Sequence, residues 1–74
     1  MSYNYSALKG RIVEMFRTQS SFATKIGLSE RSLSLKLNNE VPFKQPEIDK
    51  IVLALNIDPL EISKYFFTRE VQNT

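Results

Sequence analysis

The 74-residue sequence contains no cysteine and no histidine. Without cysteine, neither disulfides nor thiolate metal sites can reinforce the fold. Without histidine, the commonest general base and the commonest metal ligand are both missing. The remaining carboxylates are scattered, and no catalytic set can be assembled from them. The expectation is a protein that is not an enzyme and that uses no cofactor and no metal. Apolar runs last only a few residues, too short to cross a bilayer, and the first residues carry no signal-peptide hydrophobic region. No membrane partner is expected, and the expected location is the cytoplasm. Only two glycines and three prolines punctuate the chain, and low-complexity stretches, long linkers and repeats are lacking. One domain over 1–74 follows, near the lower limit for an unassisted hydrophobic core.

The net charge of +2 is unremarkable as a total, but it is unevenly spread. Up to Gln45, seven basic residues (Lys9, Arg11, Arg17, Lys25, Arg31, Lys36, Lys44) face three acidic ones (Glu14, Glu30, Glu40), a surplus of four. From Pro46 onward, Lys50, Lys64 and Arg69 face Glu47, Asp49, Asp58, Glu61 and Glu70, a deficit of two. A basic first half suits a polyanionic partner, although an ordinary solvated surface explains the same numbers.

Apolar spacing divides the chain into short helices. Leu8, Ile12, Val13 and Phe16 make one stripe over about Tyr5 to Phe16, with Ser6 as N-cap. Thr18 caps a second helix carrying Phe22, Ala23 and Ile26, and Gly27 follows it as the residue that ends a helix at positive φ. Ser29 caps a third, which Asn38 and Asn39 close. Pro46 opens a fourth with Ile48, Ile51, Val52 and Leu55, after a loop over Glu40 to Gln45. Asp58-Pro59 starts a fifth, Pro59 to about Tyr65, with Leu60 and Ile62 inward. The tail Tyr65-Phe66-Phe67-Thr68-Arg69-Glu70-Val71 reads as a strand or an ordered extension. The fold class is all-α, with five short helices over a core of about 5–65 and an aromatic tail over 66–74.

The third segment poses a problem. Leu33, Leu35 and Leu37 alternate with Ser34 and Lys36, which is the period of a half-buried strand. Read as a helix, Leu33 and Leu37 share one face as an i, i+4 pair. Leu35 is then rotated by about 200° from Leu33 and points outward with Arg31 and, more loosely, Ser34. The second and third helices, joined by a three-residue turn with glycine at its corner, form a helix-turn-helix pattern. In it Ala23 is small because the third helix crosses there, and Leu33 packs on Phe22 and Ile26.

The run Thr18-Gln19-Ser20-Ser21-Phe22-Ala23-Thr24-Lys25-Ile26-Gly27-Leu28-Ser29, continued to Leu33 and Asn38, resembles the DNA-binding segment of the lambda-type repressor and Cro family. With residues 4–16 and the Tyr65-Phe66-Phe67-Thr68 segment, the chain is similar to small Cro-like regulators of temperate phages and prophages. Some members of that group modulate a phage repressor. The resemblance implies a sequence-specific transcription regulator whose third helix enters the major groove of double-stranded operator DNA, at the nucleoid of a bacterial host. The alternative it leaves open is an antirepressor, which binds a phage repressor protein rather than, or as well as, DNA.

Carried onto this sequence, the resemblance puts Arg31 over base edges, where its guanidinium can fork to guanine O6 and N7. Glu30 accepts from cytosine N4, holds Arg31 in place, or complements the helix dipole. Ser32 and Ser34 are candidate hydrogen-bonding groups or small surface fillers. Leu35 offers methyls to thymine, or packs on a neighbouring loop. Gln19, Lys36, Asn38, Asn39 and Lys44 are placed along the phosphate backbone. The eight aromatic residues exceed the needs of a small core. Because Cro relatives self-associate through C-terminal elements, the resemblance makes Tyr65, Phe66, Phe67 and Val71 a candidate seam for a homodimer, the other reading being a cover for the first helix.

Overall fold

The computed structural model describes residues 2–70. They form five α-helices: α1 (Ser6–Phe16), α2 (Gln19–Ile26), α3 (Glu30–Leu37), α4 (Gln45–Ala54) and α5 (Ile62–Phe66), the last preceded by a single 3₁₀ turn, Pro59–Glu61. There is no β-strand among the described residues. The end segments nonetheless pair: Tyr3 and Arg69 form one antiparallel bridge. The Asn4 amide donates to the Thr68 carbonyl at 2.7 Å, and the Glu70 amide donates to that of Ser2 at 3.1 Å.

Local chemistry sets most of the boundaries. The Thr18 hydroxyl accepts from the Ser21 amide at 3.1 Å, and the Ser29 hydroxyl from the Ser32 amide at 3.0 Å. Each satisfies an amide that a helix start leaves without a partner. Three helix ends share one device. Gly27, Asn39 and Asn56 take positive φ, and the amide one residue further on reaches back to a carbonyl: Leu28 to Ala23, Glu40 to Leu35, Ile57 to Val52. These are Schellman closures, built with the two residue types that enter the left-handed region most readily. The junction between α1 and α2 is different. Arg17 sits at φ 68° and ψ −42°, and the Thr18 amide bonds the Phe16 carbonyl at 2.8 Å across it. That is a γ-turn of the rarer, strained hand, occupied by a residue with a full side chain.

The core gathers Leu8 and Ile12 of α1, Phe22, Ala23 and Ile26 of α2, Leu33 and Leu37 of α3, Ile51 and Leu55 of α4 and its end, then Ile57, Phe66 and Tyr5. Rings of the two chain ends wrap this core. Phe43 meets Tyr5 and Phe66 edge-on, with centroids 5.4 and 5.6 Å apart. Edge-to-face packing of this kind adds to plain burial.

Four expectations are corrected. Ser6 is the first residue of α1 rather than its cap; Tyr5 holds the cap position, and the Asn4 side chain accepts from the Ser6 amide at 2.8 Å. Val13 is 57% exposed: Leu8 and Ile12 are buried and Phe16 packs on Phe22 of α2, while Val13 lies to one side of that i, i+4, i+8 line. The fourth helix begins at Gln45, so Lys44 is its cap rather than a loop residue. Leu60 is 92% exposed. The backbone there is a 3₁₀ turn that becomes α-helical only at Ile62, so the register projected from a continuous helix does not apply.

Candidate functional site: the outward face of the third helix

On α3 the buried side chains are Leu33, Lys36 and Leu37. That is the ordinary i, i+3, i+4 stripe of a helix against a core, with a lysine in the middle place. The strand-like spacing of the three leucines is resolved by this exchange: Leu35 leaves the stripe and Lys36 enters it. The Lys36 stem lies in the core edge, and its ammonium reaches both carboxylate oxygens of Glu47 in the first turn of α4. Glu47 also accepts from the Lys44 amide at 2.8 Å. Burial by itself would raise the Glu47 carboxyl, but the Lys36 ammonium and the Lys44 amide outweigh it and hold it below its ordinary value.

The opposite face of α3 brings four predicted residues together. Glu30, Arg31, Ser34 and Leu35 line one shallow depression. Glu30 and Arg31 are exposed, whereas Ser34 and Leu35 are half-buried. Neither charged side chain forms an ion pair with another described residue within 4 Å. The face therefore offers a free guanidinium, a free carboxylate, a hydroxyl and a set of methyl groups side by side.

The other candidates divide. Ser32 turns its hydroxyl to that of Ser29 at 3.0 Å and belongs to the helix cap. Gln19 opens α2, half-buried, beside amides that the helix leaves without intrahelical partners. Asn38 and Lys44 are exposed at the two ends of the loop following α3. Asn39 is committed elsewhere: its side chain accepts from the Tyr3 amide at 2.9 Å and donates to the Tyr3 carbonyl at 2.8 Å. Lys36, bound to Glu47 and 5% exposed, presents no ammonium to a surface ligand. In the tail, Phe66 is 2% exposed and serves its own core, Tyr65 is half-buried, and Phe67 is 51% exposed against the edge of Tyr3. Val71 lies outside the described residues.

Two residues that sequence reasoning passed over matter here. Glu47 was readable as an acidic residue in a first turn, three after Lys44, but nothing local named Lys36 as its partner. Arg11 donates from Nε and Nη2 to the Leu55 carbonyl at 3.3 and 3.2 Å while Nη1 holds Glu14 at 2.8 Å. It thus closes the end of α4 and is not a free surface cation. Among the described residues, no group of acidic side chains is arranged to hold a metal ion, and no helix is long and apolar enough to cross a membrane.

These features define a small all-helical domain in which two capped helices joined by a tight turn present a third-helix face of mixed chemistry. The chain belongs to the family described as Protein of unknown function (DUF739), whose model matches residues 1–69. It is also similar in structure to the modulator of repression (MOR) of the temperate bacteriophage TP901-1 from Lactococcus lactis, solved in solution. Identity is 51%, the match covers 97% of each chain, and the TM-score is 0.80. No protein of curated function matches the chain.

Proposed function

We propose that this protein regulates a phage or prophage genetic switch, with α2 and α3 acting as a helix-turn-helix whose third helix reads operator DNA in the major groove. The observation that carries the reading is the α3 face where Arg31, Ser34 and Leu35 stand together, exposed or half-buried and clear of internal ion pairs. Each has a use there: an arginine fork for guanine, a hydroxyl for a base edge, methyls for thymine. The start of α2 with Gln19, and Asn38 with Lys44, would flank the sugar-phosphate backbone. The likeness to a modulator of repression supports the regulatory role. Such a protein works in the cytoplasm of the host.

A second reading is favoured by one observation. Glu47 neutralises Lys36, which leaves Arg31 as the single free cation of α3, directly beside Glu30. A face with one charge of each sign and an apolar centre also suits a protein, namely a phage repressor whose operator occupancy is then altered.

Selection from a random duplex library separates the two. Enrichment of a two-fold-symmetric site, with Arg31→Ala losing about 1–3 kcal/mol and relaxing one base position, supports DNA readout. A folded preparation that enriches nothing, but co-migrates with a repressor's N-terminal domain in the absence of DNA, rejects it in favour of the second reading.

A further inference from the structure

The tail aromatics are largely taken up by their own chain, so the most exposed apolar side chains lie elsewhere: Leu60 at 92% and Leu53 at 82%. They belong to two patches of opposite charge. Between the end of α2 and the outer face of α4 runs an open groove lined by Lys25, Ile26, Gly27, Lys50, Leu53 and Ala54. Both charged residues on its rim are lysines, and no carboxylate lines it. The second patch is a protrusion, Asp58-Pro59-Leu60-Glu61. There Pro59 and the bond from the Leu60 amide to Asp58 Oδ1, 2.9 Å, hold the turn. One leucine stands out from it with a carboxylate on either side. Among the described residues the Glu61 carboxylate forms an ion pair only with Lys64, at 3.8 Å between two exposed side chains, a loose contact that leaves it available.

We infer that a second copy of this chain docks here: Leu60 of one copy enters the groove of the other, with Asp58 and Glu61 facing Lys25 and Lys50. The argument is one of shape and charge together. A lone exposed leucine between two acids fits an apolar groove between two lysines, and the chain supplies both halves. Knob and groove are different patches, so the contact is heterologous, and it closes into a dimer only where the rotation permits. Its small area makes it a weak association, one that forms at high local concentration. The surface is distinct from the α3 face and involves none of the residues given a role there.

Sedimentation velocity of the purified protein over a wide concentration range, without DNA, tests this independently of any operator or repressor. The expected result is reversible self-association that weakens with salt. Leu60→Ser, at a fully solvated position, lowers the association constant roughly tenfold. Lys50→Glu and Glu61→Lys each weaken association, and the two combined in one chain restore it, since the reversed charges face each other again. A protein that stays monomeric at millimolar concentration overturns the inference. So does association indifferent to Leu60→Ser, or a double charge reversal no better than its parents. Unchanged circular dichroism in each variant removes misfolding as an explanation.

Discussion

Replacing Glu47 with glutamine removes the charge that Lys36 was buried against. The Lys36 side chain is 6% exposed and that of Glu47 16%, so one partner is deep and the other at the rim. Removing one member of a fully buried pair costs about 3–5 kcal/mol, because the other charge is left without compensation. Water reaches the Glu47 side of this pair, and glutamine keeps an acceptor for the ammonium. The loss expected here is about 2 kcal/mol, from the same principle discounted for that access. In a domain of this size, that lowers Tm by about 8–16 °C. The double variant Lys36→Met/Glu47→Gln removes both charges, keeps an acceptor for the Lys44 amide, and falls within about 1 kcal/mol of the parent. The pair also leaves a pH signature. Folding lowers the Glu47 carboxyl below its ordinary 4.5, so the unfolded chain binds the proton more readily. The stabilisation is complete above 4.5 and is lost as pH falls through the folded value. Urea unfolding followed by circular dichroism between neutral and acid pH reads both effects. A Glu47→Gln loss under about 0.5 kcal/mol, or acid sensitivity unchanged in that variant, would refute the reasoning.

Two other substitutions test the backbone devices. Arg17→Gly relieves the γ-turn at φ 68° and is expected to raise stability by about 0.5–1 kcal/mol, the strain removed less the added freedom of glycine. Thermal melting that shows no gain would mean Arg17 is held by something other than the turn. Asn39→Ala loses both bonds to Tyr3 and meets the left-handed backbone at φ 64°. It is expected to cost about 2 kcal/mol, and Asn39→Gly about 1, since glycine keeps the turn and loses only the side-chain bonds. Hydrogen exchange at the Tyr3 amide should quicken in both variants, and equal costs for the two would contradict this partition.

What the sequence discloses follows from how far each feature reaches. The caps at Thr18 and Ser29 and the closures at Gly27 and Asn39 act over three to five residues, so their residue types mark α2 and α3 directly. The outward position of Leu35 follows from helix rotation alone, and the structure puts it beside Arg31 and Ser34. The resemblance puts Lys36 along phosphate, as a lysine ordinarily counts as surface, whereas here its ammonium is taken up by Glu47. Its four-carbon stem can nevertheless serve as a core residue when a carboxylate waits at the far end. That carboxylate is eleven residues away across a loop, beyond any local rule. Asn39 shows the same limit: its type announced the helix end, but not that its side chain would fasten Tyr3, thirty-six residues earlier. Leu60 failed for another reason, since a 3₁₀ turn and an α-helix point the same residue in different directions.

The lost lysine changes what DNA binding would look like. Of the five residues placed along phosphate, Lys36 and Asn39 are committed within the fold, and Gln19, Asn38 and Lys44 remain. Only Lys44 among these is a cation, and Arg31 adds one more on α3. Each phosphate neutralised contributes a slope of about −0.9 in log K against log salt. A monomer binding through this face alone therefore gives a slope of about −1 from Lys44, or about −2 where Arg31 meets a phosphate instead of a base, shallow for an operator binder and implying weak non-specific affinity. If it binds operator DNA, a domain so lightly charged would gain little from the DNA backbone and would depend on base contacts, on a second copy, or on a repressor already seated at the operator. Filter binding across a salt series measures the slope. A value of about −5 or steeper would show that cations outside α3, among them Lys9, Arg17 and Lys25, share the contact, and that the α3 face is only part of the working surface.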